Sequence, residues 1–486
     1  MQLVAYGAQD IYLTGNPQIT FFKVVYRRHT NFSMESIEQT FNGNPGFGKK
    51  VSCTISRNGD LVHRVYLQTT LPEVCLSQVL SNGKTLEEFN WVNWVGHQLI
   101  KNVEVEIGGQ RIDKHYGEWL HLWNELSQEP GLQSGYARMV GNVPRLVIPN
   151  NNDGGLVPST TLYIPLQFWF CRNPGLALPL IALQYHEVKI NVEFNDLNCC
   201  AMGSEVADGY RPGAVVDSND SNADADSNHI ANKGDPCIFK NSDLCLEDTA
   251  LWVDYIYLDT DERRRFAQVS HEYLIEQLQF TGEESICSQN NKIKLNFNHP
   301  VKELVWVVQC SNVVDCKQFT NFSDAVDRSF ITGLTSNPLG EGMVSPLDLG
   351  NGVLNTGLDL SVPSLTGLSL NENFDVGENP VTIAKLQLNG HDRFQERRGD
   401  YFNYVQPYQH HTNTPSVGIN VYSFGLKPEE HQPSGTCNFS RIDNATLQMS
   451  VTSDSVKNQT SKVRVYATNY NVLRIMSGMG GLAYSN

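Results

Sequence analysis

Apolar and polar residues alternate along most of this chain in short runs, the pattern of half-buried β-strands. Turn residues such as Asn58-Gly59 separate the runs. The alternation predicts strands at 34–41, 50–56, 61–69, 99–107, 161–170, 185–194 and 251–258, and later at 271–280, 291–297, 301–308, 381–388, 418–424, 445–451 and 462–470. The chain is therefore predicted to be all-β.

Two segments carry a helical pattern instead. Within residues 116–126, four apolar side chains fall on one helical face: Trp119, Leu122, Trp123 and Leu126. Residues 259–268, rich in Glu and Arg, are typical of a short helical connector. Because helices do not alternate regularly with strands, the pattern favours antiparallel sandwiches over a parallel sheet.

The strand pattern occurs twice in the same order. Ile37-Glu38-Gln39 recurs as Ile275-Glu276-Gln277, and a later strand ending at Gly108-Gly109 recurs with Asn389-Gly390. The spacing between copies lengthens along the chain, as expected when loops rather than paired strands accept insertions. About eight strands per copy predict two tandem eight-stranded jelly-roll β-sandwiches with short helices and long loops.

A chain of 486 residues exceeds one ordinary core, which agrees with two domains. We divide it into an amino-terminal arm at 1–28, a first jelly roll at 29–259, a connector at 260–270, and a second jelly roll with a carboxy-terminal tail at 271–486. The arm combines Gly and Pro with apolar residues and is expected to need a partner surface.

Three polar segments are predicted to lie outside the sandwich cores. The acidic loop 198–248 contains a low-complexity stretch at 217–228 and is expected at the outer, solvent-facing end of the first domain. A second long loop, 311–380, is rich in Gly, Ser, Asn and Pro. Residues 478–481, mostly glycine, are predicted to form a flexible tail.

The charge balance is acidic, with 52 Asp and Glu against 36 Lys and Arg, a net charge of −16. Such a balance argues against direct nucleic-acid binding, which depends on concentrated basic surface. The short basic clusters at 27–28, 263–265 and 397–398 are predicted to be solvated or salt-bridged. Without a secretory signal or paired CxxC spacing, the eleven cysteines are expected to be reduced thiols of a protein made in the cytosol.

Candidate chemistry is sparse. His115, Glu118 and His121 lie three apart, but this spacing differs from the usual zinc motif, and neighbouring tryptophans favour packing. His410-His411 has no acidic residue close in sequence. No Gly-x-Ser-x-Gly elbow occurs. We therefore predict no catalytic residue, no metal and no cofactor.

Asn-x-Ser/Thr sequons occur at six positions, and most are expected to be coincidental in a chain without an export signal. Three are kept as candidate glycosylation sites: Asn321, Asn438 and Asn444.

Several blocks resemble the major capsid proteins of nucleocytoplasmic large DNA viruses, nearest to those that infect algae. They are spread over the whole chain, at 2–23, 106–116, 174–188, 271–277, 433–444 and 469–480. The long loops 198–248 and 311–380 lie outside the resemblance.

The resemblance implies a structural protein: a double jelly roll that forms a homotrimeric, pseudo-hexagonal capsomer and tiles the icosahedral shell of a virion. It also implies that the amino-terminal arm lies beneath the shell, near minor capsid proteins and the inner membrane. Within the arm, we expect assembly contacts from Phe21, Phe22, Tyr26, Arg27 and Arg28.

Two alternatives remain open at this point. A tandem glycan-binding β-sandwich would explain a cluster of aromatic residues if they are exposed: Tyr401, Phe402, Tyr404 and Tyr408. A cupin-type metal enzyme is the weaker alternative, because no strand carries a repeated His-x-His.

Overall fold

A computed structural model gives the fold. It describes residues 8, 16, 18, 20–24, 26–76, 78–81, 83, 85–86, 88–147, 155–204, 238–326, 377–457 and 459–484. The low-complexity stretch 217–228, most of the second long loop, and the sequons at Asn219 and Asn458 lie outside the described residues.

The strands of the first half are β1 Phe32–Gln39, β2 Lys50–Thr54, β3 Leu61–Leu71, β4 Val74–Cys75, β5 Glu88–Trp91, β6 Ile100–Ile107, β7 Gln110–Tyr116, β8 Leu156–Val157, β9 Thr160–Pro165, β10 Leu178–Pro179, β11 Val188–Phe194, β12 Ala201–Ser204 and β13 Glu247–Leu258. Those of the second half are β14 His271–Ile286, β15 Asn290–Leu295, β16 Pro300–Cys310, β17 Val381–Leu388, β18 His391–Asp392, β19 Arg397–Arg398, β20 Ile419–Ser423, β21 Cys437–Asn438, β22 Ala445–Val451, β23 Ser461–Met476 and β24 Met479–Leu482.

The helices are short. They are α1 Val95–Leu99, α2 Gly117–Ser127, α3 Gln133–Val140, α4 Pro144–Val147, α5 Trp169–Arg172, α6 Thr260–Gln268, α7 Ser311–Asp315, a π-helix Tyr401–Val405 and α8 Gln406–His410. Single 3₁₀ turns lie at Pro130–Leu132, Pro174–Leu176, Leu197–Cys199 and Phe439–Arg441. Every helix in the described ranges is too short or too polar to cross a bilayer.

The first half forms a sandwich of two antiparallel sheets. One sheet has the order β1-β13-β3-β10, with β9 also paired to β3, and the other has the order β2-β11-β6-β7. Side chains that alternate inward from both sheets make one core, for example Val65 and Leu67 of β3 against Val103 and Val105 of β6. The alternation of apolar and polar residues in the sequence therefore corresponds to side chains that point alternately into the core and out to solvent.

The two main sheets of the second half repeat this topology. Its sheets run β14-β23-β16-β20 and β15-β22-β17-β18, so β1, β13 and β3 correspond to β14, β23 and β16. Each of the four main sheets has four strands along its path among the described residues. The predicted all-β fold of two tandem jelly-roll sandwiches is confirmed.

The sequence pattern did not predict β7, and two of its predictions are wrong. Residues 478–481 are not a flexible tail, because Met479–Leu482 forms β24 and pairs with the end of β23. The glycines there permit close packing: a Cβ on Gly480 would lie 2.7 Å from Leu183 Cδ2. The strand predicted at 161–170 ends at Pro165, which has no amide hydrogen to continue a ladder, and α5 follows.

Candidate assembly interface

Helix α2 of the first sandwich packs on the outer face of the second. Its predicted apolar stripe is buried against β16, β20 and β23, and the Trp119 ring lies 5.5 Å from that of Tyr466. The two sides of this contact comprise Trp119, Leu122, Trp123 and Leu126 from the helix, and Val305, Val307, Ile419, Val421 and Tyr466 from the sheet. The junction is thus a third apolar core, shared by the two sandwiches.

Strand β16 is buried on both faces as a consequence. Trp306 and Val308 point into the second sandwich, whereas Val305 and Val307 point toward α2. This double burial explains why Val305–Val308 reads as a continuous apolar run rather than an alternation.

The start of α2 depends on a glycine. Gly117 follows the extended Tyr116, at the point where the helix meets the carbonyls of α1 and β6. A Cβ on Gly117 would lie 2.1 Å from the His97 carbonyl oxygen and 2.2 Å from that of Ile100. Only glycine lets the helix begin this close to the neighbouring backbone.

A buried charge cluster links the sandwiches next to α2. The Glu276 carboxylate on β14 lies 2.9 Å from Lys302 Nζ, 3.1 Å from Arg172 Nη1 and 3.3 Å from His431 Nδ1. Burial alone would raise its pKa, but the hydrogen bond from His431 and the charges of Arg172 and Lys302 lower it to about 2. Arg172, which belongs to the first sandwich, also stacks 4.0 Å from the Trp123 ring.

A second buried cluster surrounds His411, whose side chain is fully buried. Its ring lies 3.0 Å from a Glu303 oxygen and 2.9 Å from a Glu429 oxygen. Burial opposes the charged form, but the two carboxylates raise the pKa of His411 to about 9. Neither carboxylate is close to His411 in sequence, and only the fold brings them to its ring.

The three residues weighed as metal ligands separate into two places. Glu118 and His121 of α2 line a cavity of about 100 Å³ between the sandwiches, together with His97. His115 instead lies on β7, two residues after Asp113. Burial lowers the pKa of His115 to about 3 and raises that of Asp113 to about 7. Within the described ranges, no group of three or more His, Cys, Asp or Glu side chains is placed to hold a metal ion.

The carboxy-terminal hairpin fastens the second sandwich to the first. The Tyr185 amide donates to the Gly478 carbonyl at 3.0 Å, and the Gly480 amide donates to His186 Nδ1 at 3.2 Å. Ile275, near the start of β14, belongs to the core of the first sandwich, as do Leu473 and Ile475 near the end of β23. The two sandwiches are therefore joined by apolar, charged and backbone contacts.

The residues expected to form the assembly arm are exposed. Phe21, Phe22 and Tyr26 have 92%, 99% and 87% of their surface accessible, and Arg27 and Arg28 are exposed beside them. These rings and cations are therefore accessible to solvent. The other basic clusters are engaged locally: Arg263 binds Asp60 at 2.8 Å, and Arg398 lies 3.5 Å from Asp400.

The candidate glycosylation sites differ in accessibility. The Asn321 side chain is half-buried, donates to Gln318 and Ala325, and accepts from Ser323. Asn438 and Asn444 are exposed, although Asn438 caps a 3₁₀ turn by accepting from Ser440.

The aromatic cluster of the glycan-binding alternative does not form one platform. Phe402 is buried in the second core and Tyr401 is half-buried, whereas Tyr404 and Tyr408 are 43% and 83% exposed. Two of the four rings thus remain available to a partner.

Comparison with known proteins decides the family. The family model described as major capsid protein N-terminus matches residues 20–259, and that described as large eukaryotic DNA virus major capsid protein matches residues 262–481. This chain belongs to the major capsid proteins of large eukaryotic DNA viruses. It is thus a structural component of the capsid, and the predicted resemblance is confirmed.

Curated relatives match over the whole chain. The major capsid proteins of Phaeocystis pouchetii virus and Pyramimonas orientalis virus are 53% and 52% identical, each match covering 100% of this chain and 99% of the relative. A chain of the quasi-atomic PBCV-1 virus capsid superposes with a TM-score of 0.67 at 36% identity, covering 96% of this chain and 100% of its own. The Faustovirus major capsid protein, at 12% identity and a TM-score of 0.67, shares the fold.

Proposed function

We propose that this capsid protein assembles as a homotrimeric, pseudo-hexagonal capsomer that tiles an icosahedral shell. The supporting observation is the junction described above, because α2 and the Glu276 cluster join two similar sandwiches into one two-lobed unit. A trimer of such units has six similar lobes, so a particle with threefold symmetry occupies a position in the shell that has six neighbours. Shape and self-association supply this function, and we assign no catalytic residue to it.

Native mass tests the trimer directly. An obligate trimer should bury more than about 2,000 Å² per contact pair and should persist at micromolar concentration. Light scattering coupled to size exclusion at neutral pH should give three times the chain mass. A monomer under these conditions would contradict the proposal.

For the amino-terminal arm we propose a role in shell assembly but not in folding, with minor capsid proteins and the inner-membrane side of the virion as its partners. Its exposed rings, Phe21, Phe22 and Tyr26, support a docking role. Deleting residues 1–28 should leave the melting temperature of the trimer nearly unchanged and abolish particle formation. A Phe21→Ser/Phe22→Ser variant should reproduce the loss, whereas normal capsids from either variant would refute the role.

We further propose the domain limits 29–259 and 271–486, with the acidic loop 198–248 facing outward from the first domain. Replacing residues 217–228 with a Gly/Ser linker should leave trimer mass unchanged, since mutually repelling carboxylates do not favour a packed interface. Loss of the trimer would place the loop in an interface instead.

Of the three candidate sites, glycosylation is proposed only for the two that are accessible. Asn438 and Asn444 are exposed, whereas Asn321 would lose its side-chain hydrogen bonds on modification. Intact-mass measurement of protein from virions, made in the host cytoplasm as we expect, tests this assignment.

A further inference from the structure

A polar cavity of about 100 Å³ lies where helix α2 meets the second sandwich. The first sandwich contributes His97 and His121 to its wall, and the second sandwich contributes Gln309 and Arg464. A segment that follows α7, residues 317–322, also lines the cavity and is called the strap below. A change in the cavity therefore acts directly on the junction between the sandwiches.

The strap reaches from the second sandwich onto the first. Lys317 Nζ donates to the Ala201 carbonyl at 2.8 Å, and Gln309 Nε2 donates to the Phe319 carbonyl at 2.9 Å. Phe322 is 1% exposed and packs in the apolar core around α2. The strap thus covers the cavity and bridges the two sandwiches.

The two imidazoles in the cavity wall are buried and close together. His97 and His121 are 1% and 2% exposed, and their ring centres are 5.8 Å apart. His97 Nε2 shares a hydrogen bond of 2.7 Å with the Tyr136 hydroxyl, whereas Nδ1 of each ring has no hydrogen-bond partner among the described residues. A polar cavity of this size has room for water, so protons can reach both rings.

The charged groups around the cavity favour neutral imidazoles. Arg464 from β23 is a cation, and it binds Glu118 at 2.9 Å and Glu283 at 2.8 Å. Lys317 on the strap is a second cation. Both carboxylates are therefore engaged by Arg464, and neither forms an ion pair with an imidazole in the described part of the chain.

Burial therefore governs the protonation of both cavity histidines. It lowers the pKa of His121, although the charge of Glu125 opposes this, and burial together with the charge of His121 lowers the pKa of His97. His411, by contrast, is buried between two carboxylates, and its pKa is raised. Below the ordinary pKa of 6.5, each cavity histidine takes up a proton more readily when the cavity is open to solvent than when it is closed.

We propose that the strap and the two cavity histidines form an acid-sensitive switch at the junction between the sandwiches. Near neutral pH the strap covers two uncharged imidazoles, and in mildly acidic solution their protonation favours an open strap. Because Phe322 leaves the core around α2 when the strap opens, the contact between the sandwiches loosens. The switch lies within one chain and does not depend on the proposed trimer.

Hydrogen exchange followed by mass spectrometry measures strap opening in the full-length chain. One histidine that is not protonated in the closed state makes opening about tenfold more favourable at pH 5.5 than at pH 7.5. After correction for intrinsic exchange rates, the protection of residues 316–326 should therefore fall by about tenfold to a hundredfold between these pH values. His121→Gln should make this fall about tenfold smaller, and adding His97→Gln should remove it.

The control variant is His391→Gln, because that histidine is exposed on β18. It should keep the pH dependence of the original chain. Strand β11 should keep its protection at both pH values, which distinguishes strap opening from unfolding of the whole chain.

Three results would overturn the switch: a strap equally protected at both pH values, a loss of protection that β11 shares, or an unchanged fall in His121→Gln. The last result decides the question alone if the double variant does not fold at pH 7.5.

Discussion

Replacing Glu276 with glutamine should strongly destabilise this protein. The carboxylate is the only negative group in direct contact with Lys302, Arg172 and His431 among the described ion pairs, and its side chain is 7% exposed. The amide would leave Lys302, itself 3% exposed, as a buried cation without a counter-charge. Breaking a buried ion pair from one side typically costs about 3–5 kcal/mol of unfolding free energy.

The lowered pKa of Glu276 gives a similar contribution to the free energy of unfolding. A value of about 2 in the folded chain, against 4.5 ordinarily, corresponds to roughly 3 kcal/mol in favour of the folded state at neutral pH. Because the folded pKa is the lower one, this contribution is present above pH 4.5 and is lost as the pH falls through about 2. Glu276→Gln should therefore be most destabilising near neutral pH and progressively less so in acid.

Urea unfolding monitored by tryptophan fluorescence at fixed protein concentration measures the effect. The control is Glu272→Gln on the same strand, whose carboxylate binds Arg474 at 2.8 Å but is 59% exposed. Such a surface pair contributes about 0–1 kcal/mol. Equal losses from the two variants, or a loss below about 1 kcal/mol for Glu276→Gln, would refute the argument that burial makes this cluster costly to break.

Three further perturbations probe the junction. Gly117→Ala should lower the melting temperature sharply, because the new Cβ would clash with backbone oxygens. The control Gly131→Ala, whose Cβ would face open space, should leave the melting temperature nearly unchanged. Equal effects of the two variants would contradict the steric argument. Trp119→Ala should cost about 3–5 kcal/mol and separate the unfolding of the two sandwiches, and an unchanged single transition would exclude the shared core. His411 has a folded pKa of about 9, so its stabilising charge is present below pH 6.5 and lost as the pH rises through 9. His411→Gln should therefore reduce the decrease in melting temperature between pH 6.5 and 9. An unchanged dependence of melting temperature on pH would count against the ion pairs.

The sequence alone was sufficient for most strands of the sandwiches and for their duplication, although it did not predict β7 and placed the end of β9 too late. Period-two alternation requires only that each strand separates core from exterior, a local property that survives in both copies. The stripe of Trp119, Leu122, Trp123 and Leu126 likewise predicts a helix with one buried face. The stripe does not reveal that this face is buried against the second sandwich rather than against the first, to which the helix belongs.

Tertiary structure decided the electrostatics and the contacts. His411 receives its carboxylates from Glu303 on β16 and from Glu429, whose distances in sequence hide the pairing. The same Ile-Glu-Gln sequence leaves Glu38 exposed in one sandwich and buries Glu276 among cations in the other. Local sequence sets which side of a strand a residue occupies, but the neighbour that packs on that side sets its solvation and its charge partners.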